Sequence, residues 1–181
     1  MSRQVHTEHD TSGSVDAVFA VLTGLDWADH KAAALGDGST VVERVELPGG
    51  GVRLVLAREL PPGAPGFLER FLPRDGRVVQ SDEWGPSVDG VRRGTWSVSL
   101  PGAPARLGGT LRLEPTATGT RYTIDGEVKV SVPLIGGKAE SFIADMVTRL
   151  ADKEAKVLQA TLSAGGAAVR PHERSHPPAP G

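Results

Sequence analysis

From Thr120 to Val132 the chain alternates between two kinds of residue, and after Pro133 it stops doing so. Tyr122, Ile124, Val128, Val130 and Val132 take every second position, with Gly126 in the same row. Arg121, Thr123, Asp125, Glu127, Lys129 and Ser131 take the others. That is a strand with one apolar face, and a slip of one residue would turn the whole apolar set outward. Gly126 on that face marks a bend or a close approach. Pro133 ends the strand, and the apolar spacing beyond it is helical. Ile135, Ala139, Phe142, Ile143, Met146, Val147, Leu150, Val157, Leu158 and Leu162 form a stripe. Ser141, Asp145, Thr148, Arg149, Asp152, Lys156 and Gln159 form the opposite face, with Asp145–Arg149 and Asp152–Lys156 one turn apart. A helix of roughly 28 residues rises about 42 Å, enough to cross a whole sheet.

The residues upstream supply that sheet. A strand is expected over 3–11. Ser14 caps a short helix over 15–23, with Val15, Val18, Phe19 and Leu22 at helical spacing and Asp16 in the first turn. Asp26 is placed to cap a second helix over 27–35, ended by Gly36. The period then becomes two. Val41, Val45 and Leu47, the turn Pro48-Gly49-Gly50-Gly51, and Val52, Leu54 and Leu56 read as a hairpin. Residues 61–75 are proline-rich, with one helical turn over Phe67–Phe71. Further strands are expected over 76–84, 91–100 and 106–114. Trp96, Val98 and Leu100 share one face of the second, and Leu107, Leu111 and Leu113 one face of the third. Short turns throughout imply antiparallel pairing. The result is an α+β fold: a curved antiparallel sheet of about seven strands, two short helices after the first strand, and one long C-terminal helix to cover the sheet.

Residues 1–164 make one domain. Residues 165–181, rich in Pro, His and Gly, are expected to be a disordered tail. With 20 Lys and Arg against 22 Asp and Glu, the charge excludes a polybasic nucleic-acid binder. With no cysteine there is no disulfide and no thiolate chemistry. The longest apolar run, Ala17–Leu22, is far short of the roughly 18 residues a spanning helix needs. The opening residues lack the apolar core of a secretory leader. A soluble cytoplasmic protein is expected.

Three stretches carry a resemblance. They are Glu59-Leu60-Pro61 followed by Glu83-Trp84, the Gly119-Thr120 start of the last strand, and the junction Val130-Ser131-Val132-Pro133-Leu134-Ile135-Gly136-Gly137-Lys138-Ala139-Glu140. Together with the element order they resemble the START-like, or SRPBCC, superfamily with its helix-grip, birch-pollen-allergen-like fold. The particular likeness is to the largely actinobacterial domain of unknown function 2505, over about residues 1–163. The resemblance implies the fold and a ligand cavity, and no catalytic residue. A gripping sheet also leaves a gap unless large side chains fill it. This chain has eight aromatic residues, and its inner strands carry Gly109 and Gly126. A filled core of leucines and valines is the alternative.

The expected ligand-facing set is Val5, His9, Trp27, Leu54, Leu56, Trp84, Trp96, Val98, Leu111, Tyr122, Ile124, Ile135, Phe142 and Met146. Strand 76–84 is ambiguous: Gln80, Asp82 and Trp84 share one face, and Val79, Ser81 and Glu83 the other. A solvated edge position is the favoured reading of Asp82. Facing an apolar cavity instead, its carboxyl would titrate high and become a proton-transfer group. Of Arg92 and Arg93 only one can point inward, and a solvent-facing Arg92 is favoured. His6 and Glu8 lie on one face of their strand and His9 on the other, so no metal site is expected. Ile135-Gly136-Gly137-Lys138 fails as a phosphate loop, because Val132 and Ala139 stand where glycine and Ser or Thr are needed. Gly136 and Gly137 fit close packing of the helix start against the sheet rim. Glu140 fits dipole stabilisation of the first turn.

The leading function is binding of a hydrophobic small molecule or lipid, as a carrier or sensor, with no cofactor and no nucleic acid. One rival is a polyketide cyclase- or aromatase-like enzyme working through His9, Asp82, Tyr122 or Arg92. The other is a protein-interaction module with a filled core. A cavity separates the last from the first two, and inward titratable groups separate the enzyme from the carrier.

Overall fold

The protein is described by a computed structural model over residues 1–36, 38–60 and 62–167. Strands β1 (Arg3–Thr11), β2 (Thr40–Leu47), β3 (Gly51–Glu59), β4 (Arg77–Val88), β5 (Val91–Ser99), β6 (Ala105–Pro115) and β7 (Thr120–Val130) form one sheet. Its order is β1-β7-β6-β5-β4-β3-β2, and every neighbouring pair is antiparallel. Helices α1 (Val15–Leu22) and α2 (Trp27–Leu35) follow β1, and a single turn, α3 (Gly66–Glu69), interrupts the β3–β4 connection. The long helix α4 (Gly136–Ala167) packs chiefly against β1 and β7. It runs three residues past the expected boundary at Ala164. Residues 168–181 of the expected tail lie outside the described residues.

Local chemistry accounts for most element ends. Ser14 Oγ accepts from Ala17 N at 3.2 Å at the start of α1. Gly36 closes α2 at φ +66°, a conformation open to glycine. Asp26 does not cap α2: its backbone is already helical and its side chain makes no capping bond. Val42 is an extra residue in the β2–β3 ladder, where Val41 pairs with Leu56 but Glu43 with Val55. This bulge reverses the faces of β2, so the expected apolar row is broken. Val45 lands opposite Arg53 on the outer face. Arg44 lands opposite Leu54 on the inner face, and its Nε donates to Thr23 O at 2.7 Å. A second register shift, between Trp84 and Ser87, lets β4 continue to Val88 rather than stop at residue 84.

The inner glycines have a packing role. Trp96, Gly109 and Gly126 stand side by side across β5, β6 and β7. The Trp96 indole lies on Gly126, where any Cβ would strike the ring, and its Nε1 donates to Asp125 O at 2.9 Å. At the β7–α4 junction Gly136 is buried, and a Cβ there would sit 2.7 Å from Val130 O. Gly137 meets no such neighbour, so close packing applies to Gly136 alone. Glu140 lies beyond the first turn of α4 and is not a dipole partner. It is buried, and its Oε1 accepts from Val130 N at 3.0 Å, closing the end of the β7 ladder.

Candidate functional site: a cavity under the long helix

A cavity of about 520 Å³ separates α4 from the sheet. The inner rows of β3 to β7 form its floor, α4 its roof, and α2, α3 and the β3–β4 connection its side. All three tryptophans, Trp27, Trp84 and Trp96, line it, as does the single tyrosine, Tyr122. Val98, Leu111, Ile124, Phe142 and Met146 complete the part of the wall expected from sequence. The other five expected residues do not line it. Val5, Leu54 and Leu56 are buried within the core. His9 faces α4, where its Nε2 lies 2.8 Å from Asp152 Oδ1. Asp152 therefore meets β1, where the sequence suggested Lys156 one turn on. Ile135 is half-buried at the β7–α4 junction, before the helix begins.

Asp82 corrects the edge reading. Opposite Leu54 on β3 and Trp96 on β5, it takes the inner face of β4 together with Gln80 and Trp84. Its remaining accessibility is to the cavity it lines. Arg92 is also a correction. Its guanidinium stacks 3.7 Å above the Phe19 ring, and Nη1 donates to Gly50 O at 3.1 Å and Gly85 O at 3.3 Å. It packs beneath α1, outside the cavity wall. His6 and Glu8 stay on the outer face, with His6 Nδ1 2.5 Å from Asp125 Oδ1. That bond, first among its causes, raises the imidazole pKa. Among the described residues no three acidic or histidine side chains gather as metal ligands.

The polar side of the cavity is a chain of side chains from four elements. Gln80 Nε2 donates to Asp82, 3.0 Å from each carboxylate oxygen. Arg58 Nη1 donates to Gln80 Oε1 at 2.7 Å, and Arg58 Nη2 to Glu154 Oε1 at 2.5 Å. Lys31 Nζ approaches Glu154 Oε1 at 3.8 Å and lies 5.4 Å from the centre of the Trp27 ring. The Lys31 side chain is only 1% exposed, so its charge needs this company. Burial pushes the Asp82 carboxyl above its ordinary 3.8; the Gln80 bond and the Lys31 and Arg58 charges oppose that, and the Glu154 charge adds to it. Burial, with the Asp82 and Glu154 charges, pushes the Tyr122 phenol well up, so it is a neutral O–H at ordinary pH. The cavity thus offers an aromatic body, the Tyr122 hydroxyl and a polar wall that includes Asp82, Gln80, Arg58 and Glu154.

Arg58, Gln80, Lys31 and Glu154 were not in the expected set, but two of them left a signal. Arg58 continues the Leu54, Leu56 row of β3 by one more alternate step. Glu154 sits on the α4 stripe, one turn from both Leu150 and Leu158. Charges in apolar rows mark buried partners.

The comparisons with known proteins agree with this architecture. The chain is 26% identical over 158 residues to an uncharacterised protein of Mycobacterium tuberculosis, covering 83% of this chain and 91% of that one. A protein of Mycobacterium bovis matches to the same extent. Among solved structures, a norcoclaurine synthase of Thalictrum flavum, held with a transition-state analogue, is 15% identical with a TM-score of 0.56, covering 92% of this chain and 97% of that one. A Thermus thermophilus protein is 17% identical with a TM-score of 0.57, over 90% and 99%. These likenesses show a shared fold. The sequence profile of the DUF2505 proteins of unknown function matches residues 6–162, and with that span matched the chain belongs to the DUF2505 family, here with a helix-grip fold.

Proposed function

We propose that the protein binds a hydrophobic small molecule or lipid in the cavity between its sheet and α4, as a carrier or sensor in the cytoplasm. The observation that carries this reading is the collection of the three tryptophans and the tyrosine around one space of about 520 Å³. Ligand sites of this size are mostly apolar walls with a few placed polar groups. For the cytoplasmic part, no helix among the described residues is long and apolar enough to cross a membrane.

The space weakens the filled-core rival. The enzyme rival loses His9 and Arg92, which lie outside the cavity wall, and keeps Asp82 and Tyr122, which line it. The test is direct. Native mass spectrometry of the purified protein, with organic extraction, should find a small apolar molecule. Met146 lines the roof, so Met146→Trp should fold normally and lose uptake of an environment-sensitive apolar dye. If that variant is destabilised by the roughly 1–3 kcal/mol of an overpacked core, and the parent binds no dye, the reading is wrong.

A further inference from the structure

The polar tips of the cavity's aromatic rings are not all satisfied by the protein. Trp96 Nε1 donates to Asp125 O at 2.9 Å, so that indole has its partner in the β7 backbone. The Tyr122 hydroxyl and the indole N–H groups of Trp27 and Trp84 make no hydrogen bond among the described residues. None of these three tips is sealed in protein, and all three residues line the cavity. A buried tyrosine or tryptophan usually finds a partner for its polar end. Here the partner is left for whatever enters the space.

Tyr122 is the best placed of the three. It stands opposite Leu113 on the inner face of β7, and its ring centre is 6.1 Å from that of Trp84 at a tilt of 42°. That contact limits how the ring can turn. Burial, with the Asp82 and Glu154 charges, keeps the phenol protonated, so it enters the site as a neutral O–H. An indole N–H only donates, and a phenol O–H is a donor as well as an acceptor. A purely hydrocarbon guest would strip these donors of water and give nothing back, which costs binding energy. A guest with an acceptor oxygen repays that loss. A carbonyl oxygen has two lone pairs and no proton of its own to place. A hydroxyl would bring a further donor in need of an acceptor, and a carboxylate would bring a charge into a mostly apolar space.

We infer that the cavity takes a hydrophobic ligand bearing a carbonyl oxygen, and that the Tyr122 hydroxyl donates to that oxygen. The inference rests on the ligand-binding reading above. Tyr122 is the specificity-determining contact, and the Trp84 ring is what positions it. Tyr122 is also the only tyrosine of the chain. Fluorotyrosine incorporated during expression therefore reports this one ring, without a substitution that alters the fold.

Four pyrene probes of nearly one shape test this: acetylpyrene, ethylpyrene, pyrenylethanol and pyrenecarboxylate. Quenching of the cavity tryptophans reports binding, and the infrared carbonyl band of acetylpyrene reports its hydrogen bond. The ketone should bind about five- to tenfold more tightly than the ethyl compound, the scale of one hydrogen bond between neutral groups. Its carbonyl band should lie lower in the protein than in hexane. Tyr122→Phe should bring the two affinities together and return the band toward its hexane position. If that variant fails to fold, fluorine NMR of the fluorotyrosine protein decides, with a signal that moves differently for the ketone and for the ethyl compound. Equal binding of ketone and ethyl compound would leave the cavity reading standing and remove the role given to Tyr122. A ketone preference that survives Tyr122→Phe, or a fluorine signal that moves alike for both probes, would overturn the assignment to Tyr122. Tightest binding of the alcohol or of the carboxylate would overturn the carbonyl as the recognised group. Binding by none of the four would overturn the cavity reading itself.

Discussion

The sheet and α4 enclose two unlike regions. Beneath α1 the space is filled. Val18 and Leu113 are completely buried, and Phe19 is pressed between the Arg92 guanidinium and the edge of the Trp84 ring, whose centre is 6.3 Å away. Toward α2 and α3 the space is open, and Phe142, Met146, Val147 and Leu150 of α4 stay half-buried around it. The same helix roofs part of both regions. The difference lies in what is inserted between helix and sheet. α1 carries Val15, Val18, Phe19 and Leu22 into the gap. At the other end a short turn and a proline-rich connection close the side without filling it. A helix-grip fold can therefore be stable through one end and leave the other for a ligand.

The largest effect expected is at the filled end. Leu113→Ala should lower unfolding free energy by about 2–5 kcal/mol, read by chemical denaturation, because the void it leaves cannot collapse. A loss no greater than that at a cavity-wall position would erase the contrast between the two regions. Next comes their dividing floor. Gly126→Ala puts a methyl group into the Trp96 ring, and the 2.9 Å approach to Gly108 O prevents an easy shift. About 1–3 kcal/mol should be lost, with a change in tryptophan emission as the indole is displaced. At the open end, Phe142→Ala should cost about 1 kcal/mol, because its ring already borders empty space. The helical stripe alone would have assigned it a full core penalty.

The smallest effect has the opposite sign. Asp82 has a higher pKa folded than unfolded, so its proton is bound more tightly in the native state. The stability linked to that proton is fully present below the ordinary value of 3.8 and is lost as the pH rises through the folded value. At neutral pH the buried carboxylate is therefore a cost. Asp82→Asn should raise the melting temperature at neutral pH. The gain should vanish in acid. A variant that melts lower than the parent at neutral pH would place Asp82 among the groups that hold the fold together.

Much of the fold was legible because secondary structure is written in neighbouring residues. The alternation from Thr120 and the helical stripe after Pro133 each repeat several times, and no distant contact was needed to read them. The faces of β2 were misread because one bulge at Val42 inverts a row that the sequence prints as continuous. The faces of β4 were unreadable for another reason. Gln80 and Asp82 on one side are as polar as Ser81 and Glu83 on the other, so no hydrophobic contrast selects the inner row. Pairing decided it: Leu54 opposite Asp82 and Val52 opposite Trp84 carry the inner face of β3 across to β4.

By itself the sequence determined the order of elements, the single covering helix and the apolar residues available to line a space. Those properties follow from local periodicity, turn residues and the reach of one helix. The tertiary structure alone decided that Lys31, Arg58, Gln80, Asp82 and Glu154, spread over 124 positions of the chain, form one polar wall. The physical reason is that ladder register and helix docking act between residues far apart in sequence. Whether a buried charge meets its partner or an apolar void depends on where those contacts bring the chain together.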